Sequence, residues 1–345
     1  MNTINTFDPS GVGVKNGHFI GLPFSETEAN IIFLAAPWDV TVSYSAGTSR
    51  AASNIIAASA QLDLYDYSVA DAWKNGIFFK NESEKWLQIN DKWRKKAKKY
   101  IYFLEQGGDI NQSPKMKKIL AQINEICEDF KHYIFQETRH LLAQGKLVGL
   151  VGGDHSTPLG FLEALATQHQ DFGILHLDAH CDLRRAYEGF TNSHASIFYN
   201  ALKINNITKI TQVGIRDCCQ EEIDLVDNLS EKVTIFFDHQ LKENSYQGES
   251  WAATCDKIIA TLPDKVYISF DIDALDPKLC PTTGTPVPGG LEYQEAVFLL
   301  EKLAKSDKKI IGFDLVEVGG SAEWDGNVAA RLLYKMANLF YKKKS

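Results

Sequence analysis

Seven apolar runs constrain this chain more than any other feature: "IIFLAAP" (31–37), "LVGLVGG" (147–153), "GILHLDAH" (173–180), "ITQVGIRD" (210–217), "VTIFFD" (233–238), "VYISFDID" (266–273) and "KIIGFDLVEV" (309–318). Continuous Val, Ile, Leu and Phe of this length read as strands buried on both faces, the habit of parallel sheets. Helical patterns separate them. Residues 115–144 carry Ile119, Ile123, Ile126, Phe130 and Ile134 on one stripe. Residues 157–167, 251–260, 291–304 and 327–341 are further helices. Strands alternating with helices specify an α/β fold, a three-layer doubly wound parallel sheet with right-handed crossovers. Residues 1–345 are read as a single domain. The segment 66–115, rich in Lys, Trp, Tyr and Asn, is read as an insertion or extended connection.

In open parallel sheets, functional groups collect at the carboxyl ends of strands. Four of the seven runs end in acids and imidazoles: Asp154 and His155; Asp178, His180 and Asp182; Asp271, Asp273 and Asp276; Asp314 and Glu317. In an extended chain, side chains at i, i+2 and i+4 share a face, so Asp178, His180 and Asp182 can converge. Asp271 and Asp273 are read as repeating that spacing on another strand. Four carboxylates at one point repel strongly unless a cation joins them. His155, Asp178, His180, Asp182, Asp271 and Asp273 suffice for two divalent ions sharing bridging carboxylates. Oxygen-rich ligation with imidazole and no thiolate suits Mn better than Zn, with nickel, cobalt and iron left open. Asp276 is read as bracing its turn. His176 is read as a packed core histidine facing away from Asp178, and His18, His132, His140, His169 and His239 likewise as packing residues.

A net charge of −8 argues against a nucleic-acid surface. The short basic runs at 94–99 and 341–345 are read as a solvated helix face and a tail. No run approaches the roughly 18–20 apolar residues that span a bilayer. The start "MNTINTFDPSGVG" lacks the basic and apolar regions of a signal peptide. Six cysteines without a CxxC pair form no disulfide framework. A cytoplasmic location is the expectation, and Cys218 and Cys219 are read as small loop residues.

The motifs "GGDHS" (152–156), "DAHCD" (178–182), "SFDIDALDP" (269–277) and "DLVEV" (314–318), in this order, resemble the ureohydrolase family of arginases, agmatinases and their formiminoglutamase and guanidino-acid relatives. "APWDVTVSYSAGTSRAASNI" (36–55) resembles that family more loosely. The resemblance implies an arginase-like fold and two Mn ions bridged by a hydroxide that attacks a guanidinium carbon, held by the six ligands above. It also implies that Glu317 grips the guanidinium, that His194 of "TNSHASIFY" shuttles a proton, and that the protein forms trimers or hexamers. Residues 282–291, "TTGTPVPGGL", would rim the site.

Departures from the family bear on the substrate. Arg184 stands where arginases carry Asn, Phe190 lies near their Ser, and Cys219 replaces the Asp that reads an amino group; Asn192 is kept. Arginase activity is therefore disfavoured. Hydrolysis of agmatine to putrescine and urea leads, within polyamine or guanidino metabolism. An Arg184 pointing into the pocket would instead welcome an anionic tail, as in formiminoglutamate or a guanidino acid. Free guanidine is a further substrate if Tyr187, Phe190 and Trp324 close the pocket. Two other classes compete: a deacetylase-like amide hydrolase, which keeps fewer acidic ligands, and a non-catalytic metal-binding protein, which would have lost a ligand, His194 or Glu317.

Overall fold

The computed structural model describes residues 3–344. Eight strands form one parallel sheet: β1 (Ile31–Ala36), β2 (Ile77–Lys80), β3 (Leu147–Gly152), β4 (Phe172–Leu177), β5 (Ile207–Ile215), β6 (Val233–Phe237), β7 (Lys265–Asp271) and β8 (Lys309–Val316). Their order is β2-β1-β3-β8-β7-β4-β5-β6. Helices cover both faces. The helices are α1 (Ala51–Ser59), α2 (Glu84–Glu105), α3 (Pro114–Ala143), α4 (Leu159–Ala166), α5 (Ile197–Ala201), α6 (Gln220–Asn228), α7 (Asp238–Tyr246), α8 (Trp251–Ala260), α9 (Tyr293–Lys305) and α10 (Glu323–Lys344). One layer packs α1 on α10, α10 on α9 and α9 on α8; the other packs α2 on α3, α3 on α4 and α4 on α5.

The apolar runs behave as expected of doubly covered strands: every residue of β1, β3 and β4 is buried. Close packing explains two glycines in and beside the sheet. A Cβ at Gly149 would lie 2.5 Å from the Phe313 ring, and one at Gly153 would lie 1.8 Å from the Trp38 carbonyl. On α3, Ser113 caps the N-terminus by accepting from the Met116 amide, and Ile123, Phe130 and Ile134 are buried on its inner stripe.

The segment 66–115 contributes to the sheet itself. It holds an eighth strand, β2, which pairs with β1 in the register Ile31↔Ile77 and forms one edge of the sheet. Four residues ending in Lys80 are too short a run to stand out by pattern. The segment also holds α2, whose basic run is not wholly solvated: Arg94 is only 8% exposed, although Lys95, Lys98 and Lys99 are in solvent. Among the described residues, no helix is long and apolar enough to cross a membrane.

Sheet order explains why distant motifs meet. β3, β8, β7 and β4 are contiguous in space although other elements separate them in sequence. Their carboxyl ends carry "GGDHS", "DLVEV", "SFDID" and "DAHCD" respectively, side by side along one edge.

Candidate metal centre

The six sequence-derived ligand residues converge in two groups joined by Asp178. His155 Nδ1 lies 2.9 Å from Asp178 Oδ2, 3.1 Å from Asp182 Oδ2 and 3.2 Å from Asp271 Oδ2. His180 Nδ1 lies 3.3 Å from Asp178 Oδ1 and 3.2 Å from Asp273 Oδ2. Each oxygen of Asp178 thus serves one group. Although these atoms are close, His155 Nδ1 and Asp273 Oδ2 have no hydrogen-bond partner. Lone pairs aimed at a common point produce that combination, and octahedral ligands about 2.1 Å from a cation sit about 3 Å from one another. The donor set of carboxylates and neutral imidazoles fits divalent metal.

Local structure delivers each ligand differently. Beyond β4 the chain bends at Ala179, where the His180 amide donates to Asp178 Oδ1 at 2.6 Å; His180 bridges to Asp217 in parallel fashion, and the chain turns again at Asp182, whose φ is +54°. Glu317 has φ +59°. Left-handed backbone at residues other than Gly, Asn or Asp is uncommon and concentrates at functional sites. Asp271 and Asp273 do not repeat the extended spacing. Asp271 ends β7, and Asp273 sits in the 3-10 turn Ile272–Ala274, where Asp271 Oδ1 accepts from the Asp273 amide at 2.9 Å. Asp273 Oδ1 accepts from the Ala179 amide at 3.0 Å, tying this turn to the "DAHCD" strand end.

Charge crowding appears in the ionisation of these groups. Burial, Asp273 and Asp178 raise Asp271 well above the usual carboxylate range. Burial and Asp178 push Asp182 up to about 7. Burial works against the charged form of Asp178, but His176, His155 and His180 outweigh it and hold that carboxylate low. Burial would lower His155, yet Asp178, Asp182 and Asp271 raise it. Divalent cations held there would relieve the same repulsion without protons.

His176 departs from its expectation. It shares the face of Asp178, two residues along the strand, and its Nε2 lies 2.7 Å from Asp178 Oδ2. Gln212 Nε2 lies 2.9 Å from its Nδ1, and Phe198 covers the ring. It is buried, as read, but it orients the Asp178 carboxylate. His132, His140 and His239 are exposed rather than packed. Asp276 braces its turn as read, accepting from the Lys278 amide at 3.0 Å.

Glu317 is buried beside His155, 4% exposed. Its Oε1 accepts from the His155 amide at 3.0 Å, and its Oε2 has no partner. Burial and Asp154 raise its ionisation well above the ordinary range. A fixed, buried carboxylate with one vacant oxygen suits an incoming cation.

Beside these candidate ligands opens a cavity of about 390 Å³, lined by His180 and Asp182 and by Tyr44, Arg184, Tyr187, His194, Asp217 and Glu222. Its rim includes Thr285, Pro286 and Val287, in agreement with the rim role read for 282–291. His194 is half-buried, and its Nε2 lies 3.3 Å from Ser43 Oγ. Burial and the charge of His180 push it down to about 3. Arg184 does face the cavity. Its guanidinium lies over the Tyr187 ring at 4.9 Å, and its Nε is 3.9 Å from Glu222 Oε2. Asp217 makes no ion pair among the described residues.

Three readings fail here. Asn192 does not line the cavity: its Nδ2 donates to Glu128 Oε2 on α3 at 2.9 Å, because the turn before α5 directs it outward. Phe190 is buried against Tyr100, and Trp324 is 53% exposed with Nε1 donating to the Lys278 carbonyl, so neither closes the pocket. Cys218 and Cys219 lie in the loop before α6, as read; Cys218 lines the cavity, and the Cys219 amide donates to Glu222 Oε2.

Sequence reading passes over several contributors. Ser269 donates its one hydroxyl proton to Asp314 Oδ2 (2.8 Å) and so accepts from His155 Nε2 (3.0 Å). Its even spacing from Asp271 is the available signal. Arg216 donates to the Asp273 and Val287 carbonyls, joining the ligand turn to the rim. Ser43 leaves no mark in the sequence, since a short polar residue in a loop carries no periodicity.

Comparison with known proteins agrees with this geometry. The model of the Arginase family matches residues 29–340. The chain is 29% identical over 313 residues to the N(1)-aminopropylagmatine ureohydrolase of Thermus thermophilus, covering 90% of each. It is 34% identical over 227 residues to the agmatinase of Chromobacterium violaceum, covering 62% of this chain and 64% of that one. The fold matches the agmatine ureohydrolase of Thermoplasma volcanium with a TM-score of 0.70 at 24% identity, over 99% of this chain and 98% of the other. With four motifs at four adjacent strand ends and a family match spanning every strand of the sheet, this chain belongs to the arginase family and is one of its ureohydrolases.

Proposed function

We propose that this protein hydrolyses a linear guanidino amine, agmatine or an agmatine extended by an aminopropyl group, to urea and the corresponding amine. The observation that carries this is the charge at the cavity mouth. Asp217 has no ion-pair partner there among the described residues, while Arg184 is engaged by Glu222 and Tyr187. A cationic tail meets an acid free to receive it, and about 390 Å³ leaves room for more than a bare guanidinium.

In this reading His155, Asp178, His180, Asp182, Asp271 and Asp273 hold two divalent ions, with Mn favoured by the oxygen-rich set. Bound there, such ions would acidify water near neutral pH and offset the carboxylate charge. Glu317 pairs with the substrate guanidinium through its vacant Oε2 and fixes the plane of the group. Neutral at working pH, His194 accepts a proton at one ring nitrogen and passes it to the departing amine. His194→Ala is expected to keep both metals and to lower kcat by about 10²-fold or more with little change in KM. Metal analysis and steady-state kinetics check this, and unimpaired turnover removes His194 from the mechanism.

A second reading is favoured by Arg184 lining the cavity: it would bind the carboxylate of a guanidino or formimino acid. Product release from Mn-loaded protein distinguishes the two. The panel holds agmatine, aminopropylagmatine, arginine, guanidinobutyrate, guanidinopropionate, guanidine and formiminoglutamate, with urea and formamide measured separately. Urea from the two amines is the expected result. Turnover of the acids alone transfers the role of tail recognition to Arg184 and overturns the amine assignment.

A further inference from the structure

Helix α2 reaches both loops that wall the cavity. On one side Arg94 Nη1 donates to the Val40 and Val42 carbonyls at 3.1 and 2.5 Å. One turn earlier, Asn90 exchanges two hydrogen bonds with Asp39: the Asp39 amide donates to Asn90 Oδ1, and Asn90 Nδ2 donates to Asp39 Oδ1, both at 2.8 Å. Asp39 Oδ2 in turn accepts from the Gly47 amide at 2.8 Å and the Ser49 amide at 3.4 Å. Between these anchors lie Ser43 and Tyr44, which line the cavity, and Ser43 Oγ faces His194. On the other side the Tyr100 hydroxyl donates to the Glu188 carbonyl at 2.9 Å, and its ring packs on Phe190 at 5.3 Å. That contact holds the loop carrying Tyr187 and His194 at a residue, Glu188, with φ +54°.

Resting on the ureohydrolase reading of the site, we propose that α2 is a positioning element for catalysis: Arg94 and Asn90 hold loop 39–47 so that Ser43 meets His194, and Tyr100 holds the facing loop. A buried arginine is costly to desolvate unless its donors are used. Here Nη1 serves two loop carbonyls rather than an acid partner, while Nε is left without one. Asn90 is buried and likewise satisfied by the loop. Among the described residues, no side chain of α2 lines the cavity, so the helix acts through what it holds.

A double-mutant cycle tests this. Arg94→Met is expected to lower kcat by about 100-fold, the scale of a small misplacement of reacting groups, with KM changed less than about threefold. In a Ser43→Ala background the same substitution is expected to cost at least about tenfold less, because residues acting through one contact are not additive. Arg94→Lys, which keeps a donor, is expected to recover part of the loss. Equal cost in both backgrounds overturns the proposal. Ile101→Ala controls for loosened packing, since Ile101 is buried on α2 but has no polar group to hold either loop. An equal loss of kcat in that variant also overturns it.

Hydrogen exchange separates this proposal from the function assignment. Amides of residues 39–49 are expected to exchange faster in Arg94→Met than in Ile101→Ala, with or without a known substrate. Silence of the wild type on every guanidino compound would defeat the function assignment alone, whereas unchanged exchange defeats the positioning role. Tyr100→Phe removes one hydrogen bond, and faster exchange confined to the loop around Glu188 is expected. If Arg94→Met does not fold, an unchanged loop in Tyr100→Phe overturns the proposal.

Discussion

Asp271→Asn is expected to strip metal from the site and to lower urea release by about 10³-fold, the scale of several kcal/mol of transition-state stabilisation. The reason lies in the geometry of the turn. The carboxamide oxygen introduced by the substitution can still accept from the Asp273 amide, so the local fold survives. What disappears is the charge and the oxygen that faces His155 at 3.2 Å. Metal content after desalting and urea release from the best substrate check the result together. A fully metallated, active variant would remove Asp271 from the ligand set.

The same variant has an opposite effect on the metal-free protein. Burial, Asp273 and Asp178 raise the Asp271 carboxyl well above its unfolded value. Its contribution to stability is therefore complete below the ordinary carboxyl range and is lost as pH rises toward the raised value. A carboxamide never ionises. In chelator, the variant should melt no lower than wild type at acid pH, and its advantage should widen as pH rises. A variant that melts lower at every pH would show that the carboxyl is a structural partner and not a crowded ligand.

Glu317→Gln is expected to keep the metals and to lower kcat/KM by about 10²–10³-fold. Breaking a buried charged pair by neutralising one member costs about 3–5 kcal/mol. The backbone argues that the loss is chemical and not a collapse of the site. The Glu317 amide donates to the Gly153 carbonyl, and Thr283 Oγ1 donates to the Glu317 carbonyl, so the residue is held independently of its carboxylate. The amide oxygen of the glutamine side chain can still accept from the His155 amide. Metal analysis with kinetics on the preferred guanidino substrate tests this, and an unchanged kcat/KM rules out the contact.

Much of the candidate centre is legible in the sequence because its signals are local. Apolar runs that end in Asp and His announce strand ends with chemistry, and a parallel sheet collects those ends at one edge. The failures are those of residues whose role depends on a distant partner. Asn192 reads as a substrate handle until Glu128 of α3 is seen to hold it. Arg94 reads as one more cation in a basic run until the loop after β1 is seen to wrap around it. His176 reads as a core residue because it lies inside the strand, although its even spacing from Asp178 places both on one face. β2 escapes notice because its four residues gain their place from pairing with β1, not from their own pattern.

By itself, then, the sequence determined the strand pattern and the α/β class and singled out the six candidate ligand residues and Glu317, since periodicity and residue chemistry act over a few positions. Only the tertiary structure decided that β3, β8, β7 and β4 stand side by side, that Asp178 meets both His155 and His180, that Arg184 faces the cavity and that Arg94 of α2 bonds the loop after β1. Those are relations between segments far apart in the chain, and burial and hydrogen bonding set them once the whole sheet has formed.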